Sequence, residues 1–213
     1  MGDLLILLRH GESEHNVANR ISRVFCGQFD SPLTLRGREQ ARAVAEQLSQ
    51  NADLPIGRAV SSSLVRARET LDIVLAQCGE NVCRLPHDSN LNERSLGIFE
   101  NRDEESVFRE FPQYRDDIRY RHFQNHFEQK APKGENLTEV TIRAWGALQR
   151  LIAESSDSLL VVSHGVAIRC ILGKALGLTN EKVIEMKIPN AVPIVLRRQG
   201  ADFYELLGDS IGF

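Results

Sequence analysis

Two aliphatic runs in this chain each end on a histidine followed by a glycine. Leu4-Leu5-Ile6-Leu7-Leu8 leads into Arg9-His10-Gly11, and Leu159-Leu160-Val161-Val162 leads into Ser163-His164-Gly165. A short, continuous apolar run is the pattern of a strand buried on both faces, as in a parallel sheet covered by helices. In open α/β sheets ligands bind beyond the carboxyl ends of the strands, and both histidines fall there. Taken singly, a strand-end histidine is more often a hydrogen-bonded structural residue than a catalyst. Two of them on strands of one sheet would face the same edge. Glycine after each would let the backbone turn tightly and leave amide N–H groups beside the imidazole, an arrangement that suits an anion.

The segments between the two runs alternate in type. Leu35, Ala41, Val44, Ala45 and Leu48 have helical spacing after a start at Thr34. Arg58 to Ser63 reads as a short strand closing on serines that can cap a helix over Leu64 to Gln77, ending near Gly79. Val166 to Leu176 reads as a helix stopped by Gly177, and Ile194–Leu196 with Phe203–Leu207 as a hairpin or two neighbouring strands. This rhythm predicts an α/β fold, a three-layer αβα sandwich with a mostly parallel central sheet, in one domain spanning 1–213.

One stretch departs from the rhythm. From Asn101 to Lys133 seven acids face seven bases, yet six of the chain's thirteen aromatics lie there, which marks a helical insertion packing a small core of its own rather than an aromatic binding box. Tyr120, Phe123 and Phe127 have the i, i+3, i+7 spacing of one helix stripe. The insertion, at about 98–134, is placed to act as a cap over a site.

At 213 residues with 26 basic and 29 acidic side chains, the chain has a formal charge of −3 and no electrostatic footprint for nucleic acid or an anionic membrane. The expected partner is a small molecule, or a local patch on a protein; no oligomeric state is assigned. The early apolar run is far shorter than the ~20 residues of a membrane span, and Asp3 is acidic where a signal peptide is basic. Cys26, Cys78, Cys83 and Cys170 lack paired spacing. A soluble, unsecreted, cytoplasmic protein is expected.

Arg66 falls in the first turn of the helix after Ser63, where the macrodipole disfavours a cation by a few tenths to ~1 kcal/mol. A snorkelling surface arginine would explain it. So would an oxyanion at the strand edge, gripped by Arg9 and Arg66 in fork geometry. A metal is the competing use of histidine, but His10 and His15, five apart in a loop, are poorly spaced for one ion and Arg9 would repel it. No P-loop or GxGxxG follows any strand. Neither a metal nor another cofactor is expected.

Six blocks now fall in order: RHGESEHN (Arg9 to Asn16), GQFDSPLTLRGREQA (Gly27 to Ala41), SSLVRARET (Ser62 to Thr70), LNERSLG (Leu91 to Gly97), PKGENL (Pro132 to Leu137) and VVSHG (Val161 to Gly165). Together they resemble the histidine phosphatase superfamily, the phosphoglycerate-mutase-like clan, over most of Leu4 to Leu176. The resemblance implies that His10 is the nucleophile, forming a phosphohistidine. It implies that Arg9, Arg66 and His164 hold the phosphoryl oxygens with help from Asn16, Gly27 and Gly165. Glu93 would be the acid that protonates the leaving alkoxide and then the base that activates water. Cys26 occupies the place before Gly27 where, by the resemblance, a residue approaches the phosphate, after a stretch about four residues longer than the mutase-like pattern. Leu96 stands where mutases carry an aromatic residue. No arginine pair like the mutase carboxylate grip is present, although Arg109, Arg115, Arg119 and Arg121 could reach inward from the insertion.

The expected activity is therefore hydrolysis of small phosphorylated metabolites by a phosphomonoesterase. The alternatives are a bisphosphoglycerate-dependent phosphoglycerate mutase or a sugar bisphosphatase using the same pocket. A phosphate-binding module that has lost catalysis is a third reading, from a different class.

Overall fold

A computed structural model describes residues 4–79, 81–199 and 204–208 of the chain. Strands β1 (Leu4–Arg9), β2 (Arg58–Ser61), β3 (Cys83–Arg84), β4 (Leu159–Ser163), β5 (Pro193–Arg198) and β6 (Tyr204–Leu207) form one sheet in the order β3-β2-β4-β1-β5-β6. β1 runs parallel to β4, and β2 runs parallel to both β4 and β3. Among the described strands only β5 is reversed, pairing antiparallel with β1 on one side and β6 on the other. Phe203, expected at the start of the last strand, lies outside the described residues.

The helices are α1 (Glu14–Ser22), α2 (Leu35–Gln50), α3 (Val65–Cys78), α4 (Glu104–Glu110), α5 (Gln113–Asp116), α6 (Leu137–Ala153), α7 (Gly165–Ala175) and α8 (Asn180–Glu185). Strand side chains alternate between faces, so the continuous apolar runs supply both. Leu5, Leu7, Leu159 and Val161 pack on Ala144 and Leu148 of α6 and Ile168 and Ile171 of α7. Ile6, Leu8, Leu160 and Val162 pack on Val44 and Leu48 of α2 and Leu71 and Val74 of α3. Each such leucine contributes about 1.5–3 kcal/mol by its burial. The result is the expected three-layer sandwich. None of these helices is long and apolar enough to cross a membrane.

Three local expectations are corrected. The serines after β2 do not provide the cap of α3. Val65 N–H donates instead to Asp30 Oδ1 at 2.7 Å, while Ser61, Ser62 and Ser63 turn to His87, His164 and Asn92. Tyr120, Phe123 and Phe127 lie in turns, not on a helix. There Asp117, His126 and Gln129 take the amides of Arg119, Glu128 and His122, local bonds that displace the helical ladder. Phe123 joins Phe25, Phe99, Val107 and Tyr114 in the small core expected of the insertion, whereas Phe127 packs beside Leu137 and Ala167. Finally, His15 is not in a loop. Ser13 and Asn16 form a reciprocal capping box that starts α1 before it.

Gly11 is also used differently from the tight turn expected. A Cβ on it would lie 2.3 Å from the Gly37 carbonyl oxygen, and one on Gly37 would lie 2.0 Å from the Glu12 oxygen. Two backbones meet here with no room for a side chain, which fixes the loop after β1 against the first turn of α2. Gly37→Ala should therefore cost about 1–3 kcal/mol in urea unfolding, as other overpacked sites do. Gly146, exposed in α6 with nothing near its would-be Cβ, is the control: Gly146→Ala should gain ~0.5–1 kcal/mol. Equal effects at both positions would contradict the contact.

Candidate active site

The register of β1 against β4 sets Arg9 opposite Ser163, and the ladder continues as His10 N–H donates to the Ser163 carbonyl at 3.1 Å. The imidazoles of His10 and His164 thereby meet with ring centroids 5.0 Å apart. Both are buried. His10 Nδ1 lies 2.7 Å from the Gly11 carbonyl oxygen. A carbonyl only accepts, so Nδ1 carries the proton and Nε2 keeps its lone pair. Burial, and then the charges of Arg66 and Arg9, hold the His10 pKa well below the usual histidine value. His164 is held low by burial, then Arg66 and His10. Its Nε2 is 2.6 Å from Ser62 Oγ, and its Nδ1 has no protein partner.

Arg66, in the first turn of α3, does not snorkel. It is 3% exposed, its guanidinium donating at 3.0 Å to the Phe29 and Gly27 carbonyls. Arg9 donates to the Ile188 carbonyl at 2.6 Å. Burial lowers the pKa of both arginines.

Glu93 enters from the segment before the insertion. Its carboxylate accepts the Val166 amide at the N-terminus of α7, at 3.2 and 3.3 Å, and the Arg94 amide at 2.9 Å. Its backbone carbonyl is held by Gln28 Nε2 at 2.9 Å and by Arg143 at 3.0 Å. The carboxylate is thus fixed from both chain directions.

Arg9, Asn16, Cys26, Gly27 and Glu93 line one cavity of about 420 Å³. His10, Arg66 and His164 do not line it, but Arg66 donates to the carbonyl of Gly27 and the His10 carbonyl accepts from Asn190, two residues that do. Gly165 does not line it; a side chain there would begin 3.7 Å from the Arg9 guanidinium. Gly27 has φ +52°, and a Cβ would strike Glu100 at 2.5 Å. Cys26 donates to the His15 carbonyl at 3.3 Å, and burial pushes its thiol up to about 11, so it is neutral near pH 7. The insertion arginines do not reach the cavity. Arg109, Arg115 and Arg119 pair with Glu105, Asp116 and Asp117 on the surface, and Arg121 is exposed. Arg20 and Arg94 line it instead.

Asn190 is the residue the sequence reading missed. Its Nδ2 donates to the His10 carbonyl at 2.7 Å and approaches Asn16 Oδ1 at 3.4 Å. The loop between α8 and β5 that carries it also binds the Arg9 carbonyl through Ala191 N–H at 2.9 Å. No periodicity marks such a loop; only the pairing of β5 with β1 brings it here.

A three-layer sheet with paired histidines at the ends of adjacent parallel strands defines a class. Residues 5–207 match the profile of the histidine phosphatase superfamily (branch 1), and the chain belongs to that family. Its members are phosphatases or mutases. The chain is 35% identical over 173 residues to a Serratia proteamaculans protein called probable phosphoglycerate mutase GpmB, covering 81% of this chain and 74% of that one. An Escherichia coli O1:K1 protein of the same name is 36% identical over 174 residues, covering 81% and 74%. YhfR of Bacillus stearothermophilus superimposes with a TM-score of 0.79 at 25% identity, covering 95% of this chain and 94% of that one. The mycobacterial glucosyl-3-phosphoglycerate phosphatase does so with a TM-score of 0.78 at 25% identity, covering 96% of each.

The two buried imidazoles tie stability to pH. With native pKa values below that of the unfolded chain, only the unfolded state binds their protons just below pH 6.5. Their contribution is complete above about pH 6.5 and is lost as the pH falls from there toward the depressed native values. Each histidine should add a slope of about 1.4 kcal/mol per pH unit in that window, so about 2.7 kcal/mol for the pair. Urea unfolding between pH 7.5 and 5 reads the slope. His164→Gln should shallow it, and a flat wild-type profile would mean that the imidazoles ionise in the folded protein.

Proposed function

We propose that this chain is a phosphomonoesterase of small phosphorylated metabolites that works through a phosphohistidine on His10, with no metal or other cofactor. The supporting observation is the His10 Nδ1–H bond to the Gly11 carbonyl, which leaves Nε2 unprotonated beside two guanidinium groups. Nε2 attacks phosphorus, and the P–N bond forms as the ester P–O bond breaks. Glu93 gives its proton to the departing oxygen. It then takes one from a water whose oxygen attacks phosphorus, and the P–N electron pair returns to Nε2. Arg9 and Arg66 stabilise the charge that spreads over the phosphoryl oxygens, with Asn16, Gly27 and Gly165 alongside. Ser62 Oγ accepts the Leu64 amide and gives its own proton to His164 Nε2, so that His164 Nδ1–H faces the phosphoryl group.

The segment at about 98–134 is the cap, its turn at Phe123 and Gln124 tied to the Glu93 loop by Arg94. The free state of Cys26, Cys78, Cys83 and Cys170 supports a cytoplasmic setting. A mutase that keeps water off the phosphohistidine is the second reading, favoured by the names of the relatives at 35–36% identity. The names of the solved neighbours favour the phosphatase.

Arg66→Ala should lower kcat by about 10²–10³-fold, as loss of one preorganised donor does elsewhere. Activity within threefold of wild type would return Arg66 to a structural role.

Glu93→Gln tests the double role of the carboxyl group. Nitrophenolate leaves without a proton, so p-nitrophenyl phosphate should give a burst of nitrophenol followed by slow turnover. An acid-labile, alkali-stable phosphate should then sit on His10 and vanish in His10→Ala. With an alkyl phosphate the same variant should be slow from the first step. Phosphate on another residue, or equal slowing of both substrate types without a burst, would refute the assignment.

A further inference from the structure

The tautomer of His10 hangs on a single peptide unit. In the Gly11–Glu12 peptide the carbonyl faces His10 Nδ1 at 2.7 Å, and the N–H donates in the other direction to Gln40 Oε1 at 2.8 Å. A trans peptide carries its C=O and N–H on opposite sides, so whatever takes the N–H also aims the carbonyl. The atom of Gln40 that meets an N–H must be its oxygen, because the side-chain nitrogen only donates. Glu12 is buried, so its amide needs an acceptor inside the protein. Gln40 reaches this point through the glycine contact that seats the first turn of α2 on the loop after β1. It follows Gly37 by three residues and so shares its helix face. Gln40 is half-buried, does not line the cavity and belongs to neither apolar cluster on the sheet.

The preceding peptide unit has an anchor of its own. The Gly11 N–H donates to Thr70 Oγ1 at 3.1 Å, and that hydroxyl gives its proton to the Arg66 carbonyl at 2.7 Å. Thr70 thus holds the His10–Gly11 unit, and Gln40 holds the next. Glycine adopts backbone angles that other residues avoid, so without Gln40 the Gly11–Glu12 unit could swing over with little resistance from Gly11 itself. Swung over, it would present the Glu12 N–H to Nδ1. A donor there needs a bare ring nitrogen, and the ring proton would move to Nε2, the atom that has to attack. We propose that Gln40 is a positioning residue for the reaction: by taking the Glu12 amide it keeps the Gly11 carbonyl on Nδ1 and the lone pair on Nε2. This rests on the phosphohistidine reading and adds to it a side chain outside the cavity.

Long-range proton–nitrogen NMR of isotope-labelled histidines tells a protonated ring nitrogen from a bare one, and His10→Ala identifies the His10 signals. With enzyme in excess over p-nitrophenyl phosphate, nitrophenol release reads the first step alone. Wild-type His10 should carry its proton on Nδ1. In Gln40→Met, with Gln40→Leu as the second variant, a form protonated on Nε2 should appear and the first step should slow about tenfold, the scale of one buried donor left unpaired. Gln40→Glu, whose carboxylate accepts but does not donate, should restore the tautomer and bring the rate within threefold of wild type. An unshifted ring in the Met and Leu variants, whatever their rate, would overturn the proposal while the phosphatase reading stands. So would a first step as slow in Gln40→Glu as in Gln40→Met. A shifted ring with an unchanged first step would keep the hold of Gln40 on His10 and overturn the phosphohistidine reading instead.

Discussion

The parallel register of β1 and β4 is the constraint on which everything else here depends. Because Arg9 pairs with Ser163, the strands end level and deliver two imidazoles to one point. A shift of one residue would turn Leu5 and Leu7 toward the opposite helical layer and part the histidines. Nineteen buried residues make up the cluster on one face of the sheet and twelve that on the other, so the register that builds the site is also the one the core enforces. Catalytic geometry of this kind does not need separate stabilisation.

Such a site keeps its histidines neutral by surrounding them with cations and excluding water. Burial and Arg66 act in the same direction on both rings, and the Gly11 carbonyl selects the tautomer of one of them. An imidazole whose second protonation is disfavoured keeps a free lone pair near neutral pH. The surrounding arginines, held by backbone carbonyls rather than by carboxylates, retain their charge for a ligand.

Five of the six strands, the order of layers and the placement of His10, His164 and Arg66 were legible because they rest on local pattern: apolar runs, glycine stops and a cation at the wrong end of a helix; β3 was not, since Cys83 and Arg84 are two exposed residues with no apolar run. Glu93 was legible only through its family block, since nothing local separates it from other acids. Asn190 was not legible at all, because its role depends on strand pairing across most of the chain. α6 was not read from the sequence either, although its capping box at Asn136 and Glu139 is a local signal. The serines after β2 were misread for a related reason. A serine before a helix is a cap by default, and only the tertiary partners His87, His164 and Asn92 reassign it. The aromatic stripe at Tyr120 failed because spacing says nothing about side chains that take backbone amides for themselves.

The position of β1 in the sheet has a consequence for the making of the protein. Of the six strands of the sheet it is the earliest along the chain, yet its neighbours come much later: Leu5 pairs with Leu159 on one side and Leu196 on the other. At roughly 5–20 residues per second, a bare apolar strand must wait on the order of ten seconds before either edge is covered. For that interval the growing chain carries an apolar segment unpaired, and His10 sits at the end of it. Ribosomal pace and holding chaperones therefore bear on the yield of this enzyme as directly as the stability of its finished core.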